Sequence, residues 1–352
     1  MDVKRKIMIK HRLVNLRLRQ MAIMRKRRRS IRILKRHNKI RKKKTASGKQ
    51  DSYDPFRPRP YEAIAPNDFS LSNIEGVLAF INRTENTCKR GTRITFLKIN
   101  LDNVRKIDSY ALSLLLSLLN KISCLNIRYW GTYPSDPIAK QFILESGFLD
   151  LVKTNIKKPS NNRVGNQIYM VGKDYVDSHL IGVAVRESMQ YITGKVEPYS
   201  PVYDDLLEIS ANSVEHANAN RSDKNWLVSI SLENGKIHYV VTDTGLGILA
   251  TLRKKATQQL RDTFFKGDAE VLHDVFMKLY QSITGEINRH KGLPIILESF
   301  TDGFISDLQV LTNKVYYDFG TNTPKALKRG FNGVMYSWTV SLNNYNNWLN
   351  SL

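Results

Sequence analysis

Apolar positions along the chain fall into three regimes. Over residues 1–44, Ile9, Leu13, Leu16 and Ile23 recur at helical spacing, but Lys and Arg crowd the positions between them and no Gly or Pro intervenes. Over 45–70 the periodicity stops. Pro55, Pro58, Pro60 and Pro66 are spaced by Ser, Gly and Asp, the composition of a linker or extended strap. From residue 71 the pattern becomes that of a folded protein. The spacing predicts helices over 71–81, 110–125 and 137–146, the last stopped by Gly147, and apolar strands over 95–100 and 127–130. Strands and helices joined by short turns predict a small α/β unit over 71–155, a sheet covered by helices.

Residues 170–345 read as a second unit. Helices are expected over 176–193 and 203–217. Strands over 228–232 and 237–241 alternate in period two around Asn234-Gly235, a two-residue hairpin turn. A mostly helical, polar insertion follows over 249–284, and 308–311, 315–319 and 334–342 supply the last strands. The expected class is α+β, a layered sandwich of sheet and helices.

Charge separates the amino-terminal arm from the rest. Of a net charge of +23, residues 1–50 contribute 21 Lys/Arg against the single acid Asp2, and the other 302 residues of the 352 carry a net of only +3. Alone, such an arm repels itself and is expected to be disordered, becoming helical when phosphates neutralise it. The runs Arg25, Lys26, Arg27, Arg28, Arg29 and Lys42, Lys43, Lys44 suit nucleic acid, DNA or RNA, through salt-dependent phosphate contacts. An anionic membrane surface and a merely solvated tail are the other readings. The arm has no aromatic residue, so it offers no base stacking. Cys88 and Cys124 lack metal-ligand spacing, which fits a reducing, cytoplasmic setting. Neither a secretory signal nor an apolar run long enough to span a membrane is found.

Two stretches carry candidate chemistry. In 206–217 the apolar stripe Leu206, Leu207, Ala211 and Val214 is accompanied by Glu208, Asn212 and His216, each four apart and so on one helical face. A strand then runs through Val240 and Val241 into Asp243-Thr244-Gly245-Leu246-Gly247, where two glycines let backbone approach something flat or anionic.

Together these resemble the N-box (Glu-x-x-x-Asn, with His four further on) and the glycine box (Asp-x-Gly-x-Gly) of the GHKL ATPases, the family of gyrase B, MutL, histidine kinases and anti-sigma-factor kinases. Residues 289–296 resemble the later glycine box that borders the ATP lid. The resemblance implies a Bergerat-type ATP-binding α/β sandwich over 170–345, with ATP and Mg²⁺ as cofactors. It implies that Asn212 ligates Mg²⁺, Glu208 is the general base for the attacking water, and Asp243 accepts from the adenine amino group. Gly245, Gly247, Gly292 and Leu293 would line the nucleotide, with Arg289 and Lys291 neutralising the γ-phosphate. His216 is a phosphate-side contact or a satisfied helix-end histidine. A Thr often follows the Gly that opens the family's final strand and meets the adenine-binding Asp. Here Val334 follows Gly333, so that contact is absent or comes from Thr339, and slow catalysis is expected.

In the first unit, Ile107-Asp108-Ser109-Tyr110-Ala111-Leu112 resembles the turn of STAS domains, the anti-anti-sigma-factor fold. Regulatory members carry a phosphorylated Ser and a Gly where Tyr110 and Ala111 stand here. Asp108 and Ser109 read as caps of the following helix, with modification of Ser109 as the alternative, and the unit reads as a module docking a protein partner. Three functions remain: an ATP-driven switch acting on a nucleic-acid-binding arm, a serine/threonine protein kinase of the anti-sigma-factor type, or a nucleotide-binding scaffold that hydrolyses nothing.

Overall fold

A computed structural model describes residues 59–89, 94–153, 160–164, 167–172, 176–216, 226–254, 267–277 and 292–352. The basic arm over 1–44, Arg289 and Lys291 lie outside the described residues, as do the side chains of His216, Gly292 and Leu293. Pro58–Leu352 forms one compact unit.

Its first half is β1 (Arg59–Ile64), β2 (Asp68–Phe69), α1 (Ile74–Lys89), β3 (Ile94–Asn100), β4 (Lys106–Ile107), α2 (Ser109–Cys124), β5 (Arg128–Gly131), α3 (Pro137–Glu145) and α4 (Phe148–Lys153). Three strands form a parallel sheet in the order β1-β3-β5, and β2 pairs with β4. The expected helices and strands are present. The linker expected over 45–70 is corrected at its end, because 59–64 pair with β3. As the edge strand, β1 can carry Pro60, which has no N–H to donate to a second neighbour.

The second half adds β6 (Ser160–Val164), β7 (Gln167–Gly172), α5 (Ser178–Thr193), α6 (Ser200–His216), β8 (Trp226–Glu233), β9 (Lys236–Asp243), α7 (Ile248–Lys254), α8 (Asp268–Phe276), α9 (Gly292–Thr301), β10 (Ser306–Asp318), β11 (Thr323–Ser341) and α10 (Leu342–Leu349). The six strands run β10-β11-β9-β8-β7-β6, each pair antiparallel. Asn234 and Gly235 both take positive φ, the geometry of the hairpin turn read from their sequence. The β6–β7 hairpin is an addition to the sequence reading. Residues 160–164 carry no apolar alternation, and an edge strand needs only backbone pairing. Two expected strands are one, β10, whose register shifts around Asn313. The fold is thus α+β, with parallel and antiparallel sheets.

Both faces of the six-stranded sheet are covered. Val228, Ile230, Tyr239, Val241, Tyr336 and Trp338 join α5, α6, α8 and α9 in one core, while Leu227, Val240, Leu311 and Met335 join α1, α2 and the parallel sheet in the other. Period two in β8 suggests one wet face, yet Ser229 and Ser231 are buried. The face carrying them lies under α2, whose own Ser113 and Ser117 are buried and satisfied by carbonyls of the preceding turn. Small hydroxyl residues let helix and sheet approach without orphaning a polar atom of the helix. Twelve of the sixteen residues of α2 are buried, as a helix between two sheets requires. No helix among the described residues is long and apolar enough to cross a membrane.

Candidate functional site

Helix α6 buries Val202, Leu206, Ile209, Ser210 and Ser213 toward the sheet, and this turns Glu208 and Asn212 to one flank, where both are half-buried. That flank faces α9, since buried Asp205 accepts from Ser299 Oγ at 3.2 Å. One helix end further back, Tyr199 Oη donates to the carbonyl of Phe304. The two contacts make α9 antiparallel to α6, so its Gly292 end points to the Glu208–His216 end of α6. Seven residues along each helix from the Asp205–Ser299 contact, about 10 Å at 1.5 Å per residue, lead to Asn212 and Gly292.

Asp243 ends β9, hydrogen-bonded between Trp226 and Val334 of the neighbouring strands. Its Oδ1 accepts from the backbone N–H of Gly245 at 2.7 Å and of Val334 at 3.3 Å, and its Oδ2 from Ser213 Oγ at 3.5 Å. Ser213 is the neighbour of Asn212 in α6, so this bond ties the helix that carries Asn212 to the end of β9. Burial raises the Asp243 carboxyl to about 6, against the two amides, the charge of Lys121 and the Ser213 hydroxyl, which all favour the anion.

Glycines make room for this arrangement. A Cβ on Gly245 would stand 3.0 Å from Asp243 Oδ1, and one on Gly247, at φ +86°, 2.5 Å from Asn313 Oδ1. Gly333 is the tightest, since a Cβ there would lie 2.0 Å from the Asp243 carbonyl oxygen. The start of α7 is spoken for: Ile248 N–H donates to Thr312 Oγ1 (3.0 Å), and Leu249 and Ala250 N–H to Asn313 Oδ1 (3.1 and 3.3 Å). The first N–H groups of α9, beginning at Gly292, lie at the helix end that runs toward the Asn212 end of α6.

Thr339 is corrected. It pairs with His238, five residues along β11 from the Val334–Asp243 pair, and its hydroxyl donates to Asp307 Oδ2 at 2.7 Å. Thr339 therefore does not supply the missing contact to Asp243, because strand register carries it away; the Val334 N–H and Ser213 stand there instead. Sequence reasoning passed over Ser213, Asn313 and Lys121. Only Ser213, beside Asn212, had a local signal.

Lys121, buried on α2, donates to the carbonyl oxygen of Asn332 at 3.3 Å and lies 5.7 Å from the centroid of Phe331 and 3.6 Å from Glu85. Asn82 Nδ2 donates to the Gly330 carbonyl (2.8 Å), and Glu75 Oε1 accepts from Lys328 N–H (3.0 Å). The first half of the protein thus holds the stretch of β11 that carries Val334 to Asp243. In the same half, Asp108 caps α2 through the Ala111 N–H at 2.8 Å, and Ser109 is buried, which suits the capping reading over a modification site.

Set against protein-family models and against curated proteins, the chain matches none.

Proposed function

We propose that the protein is a Mg²⁺-ATP-binding switch of the GHKL class, slow in hydrolysis, that controls how the basic arm engages nucleic acid. The observation that carries this reading is the Asp243 carboxylate. It is half-buried, oriented by two backbone amides and bonded to Ser213 next to Asn212. An acid so fixed can select one hydrogen-bond donor on a planar ring, and the adenine amino group is that donor by resemblance. What supports a fit to the group is the direction of α9, whose start runs toward the Asn212 end of α6, while the glycines at 245 and 247 make room for the side chains of Asp243 and Asn313.

Asn212 would hold Mg²⁺, which when bound neutralises charge on the phosphate oxygens. Glu208, one turn earlier on the same flank, would orient the attacking water and take its proton. Arg289 and Lys291 would add positive charge. The contacts of Lys121, Asn82 and Glu75 on β11 support a path from Asp243 to the first half, to which the arm is joined in sequence.

Equilibrium binding of ATP and GTP, phosphate release and retention of nucleic acid on a salt gradient test the reading, with deletion of 1–44 alongside. ATP binding and turnover that survive the deletion, with nucleic-acid retention lost, are the expected result. An undeleted chain that binds no ATP overturns it, and label passing from γ-phosphate to protein would assign a kinase instead.

A further inference from the structure

The outer face of the parallel sheet has a composition unlike a solvated surface. Parallel register puts Glu62, Lys98 and Trp130 in one row and Phe96 beside Arg128 in the next, all on the side away from the core. The alternate positions Ala63, Leu97 and Ile99 fill that core. None of the outward residues is buried, and Trp130 is 46% and Ile64 50% exposed.

The rings and cations on this face are interleaved. Phe96 and Trp130 are adjacent, with centroids 6.4 Å apart, and Lys98 Nζ lies 5.2 Å from the Trp130 ring. Just past β5, Tyr133 is exposed with Lys140 Nζ 5.8 Å from its ring. In the Trp130 row the carboxylate of Glu62 is already held by Lys98 at 2.7 Å and Asn100 at 2.8 Å, so Arg128 and Lys140 are the cations this pair leaves for a ligand. Exposed aromatic rings among cations suit unpaired bases, which offer a π-face and a phosphate together, whereas a duplex hides its base faces. The chain entering the edge strand β1 is the one that carries 21 Lys/Arg in its first 50 residues and no aromatic ring in its first 44. The arm has charge without stacking, and the sheet has stacking with little charge.

We infer that Phe96 and Trp130 form a stacking platform for single-stranded nucleic acid, with Arg128 and Lys140 at its phosphates. This rests on the nucleic-acid part of the function proposed above and supplies the strandedness that part leaves open.

The test is fluorescence anisotropy of the full chain with a labelled oligouridylate and with an RNA duplex, across a salt series. Trp130→Ala and Phe96→Ala should each weaken the single strand about tenfold, leaving its salt slope and the duplex unchanged. Trp130→Phe should restore most of the loss, and Arg128→Gln or Lys140→Gln should lower the slope by about one. In addition, 5-bromouridine in the oligomer should photocrosslink to Trp130. Binding that persists undiminished in both alanine variants, without that crosslink, overturns the platform but leaves the arm. An unmutated chain that retains neither nucleic acid at low salt removes the arm as well. Displacement of the oligomer by phosphatidylserine vesicles, with the vesicles protecting Trp130, would assign the face to a lipid surface instead.

Discussion

Lys121 donates to the carbonyl oxygen of Asn332 across 3.3 Å, and two residues later in β11 the Val334 N–H donates to the Asp243 carboxylate. A buried cation on one side of the sheet therefore holds the strand segment that orients an acid on the other. Gly333 lies between them, too close to the Asp243 backbone for any side chain.

Replacing that cation tests whether it acts on Asp243. In Lys121→Met, Glu85 keeps Lys89 as a partner, so the loss of stability should fall below the ~3–5 kcal/mol of an orphaned buried charge. The Asp243 carboxyl, followed by carbon NMR and assigned with Asp243→Asn, should titrate above its midpoint of about 6, since one contribution favouring the anion is gone. Lys121→Arg should stay near the unmutated value. An unchanged midpoint in Lys121→Met would reject the coupling.

Asp243 itself should make nucleotide binding pH-dependent. Its carboxyl is raised from 3.8 to about 6, so it is the anion, the stronger acceptor, above that pH and neutral below it. ATP affinity measured by calorimetry should hold above about pH 6 and fall as pH drops through it. Asp243→Asn should lose at least tenfold in affinity and show no such fall.

Glu208→Ala should separate binding from chemistry. Loss of a general base costs on the order of 10²–10⁴ in rate, while ATP affinity should stay within a few-fold. Phosphate release at the unmutated rate would remove Glu208 from the mechanism.

Asp205 bears on stability. Burial raises its carboxyl to about 8, Ser299 Oγ bonds one oxygen, and the other has no hydrogen-bond partner. The folded state therefore keeps a proton that the unfolded chain has released above about pH 4. Between about pH 4 and pH 8 the folded state binds more protons than the unfolded, so stability declines as pH rises through that window. Asp205→Asn should flatten the decline in denaturant titrations at pH 5, 6.5 and 8.

Gly333→Ala should be among the most damaging single changes, because its Cβ would meet the Asp243 carbonyl oxygen at 2.0 Å. A loss above ~4 kcal/mol, or no folding, is expected in thermal melts. Gly267→Ala, whose Cβ meets open space, is the control and should melt within a few degrees of the unmutated protein.

Local pattern made most elements legible. Helix period marked 203–217, the Asn234-Gly235 turn marked the β8–β9 hairpin, and Asp108 marked the start of α2, because each depends on residues close in sequence. The spacing of Glu208 and Asn212 likewise placed them on one flank of α6 without further information. Long-range register was not legible. Nothing near Thr339 says that it lies opposite His238 instead of Asp243, and nothing near Ser229 says that α2 covers it. Only the assembled sheet decided those, because hydrogen-bond register and helix–sheet packing join residues a hundred positions apart. The same holds for Lys121, whose helix reads as an ordinary apolar one until the fold sets its amine against the strand that carries Val334 to Asp243.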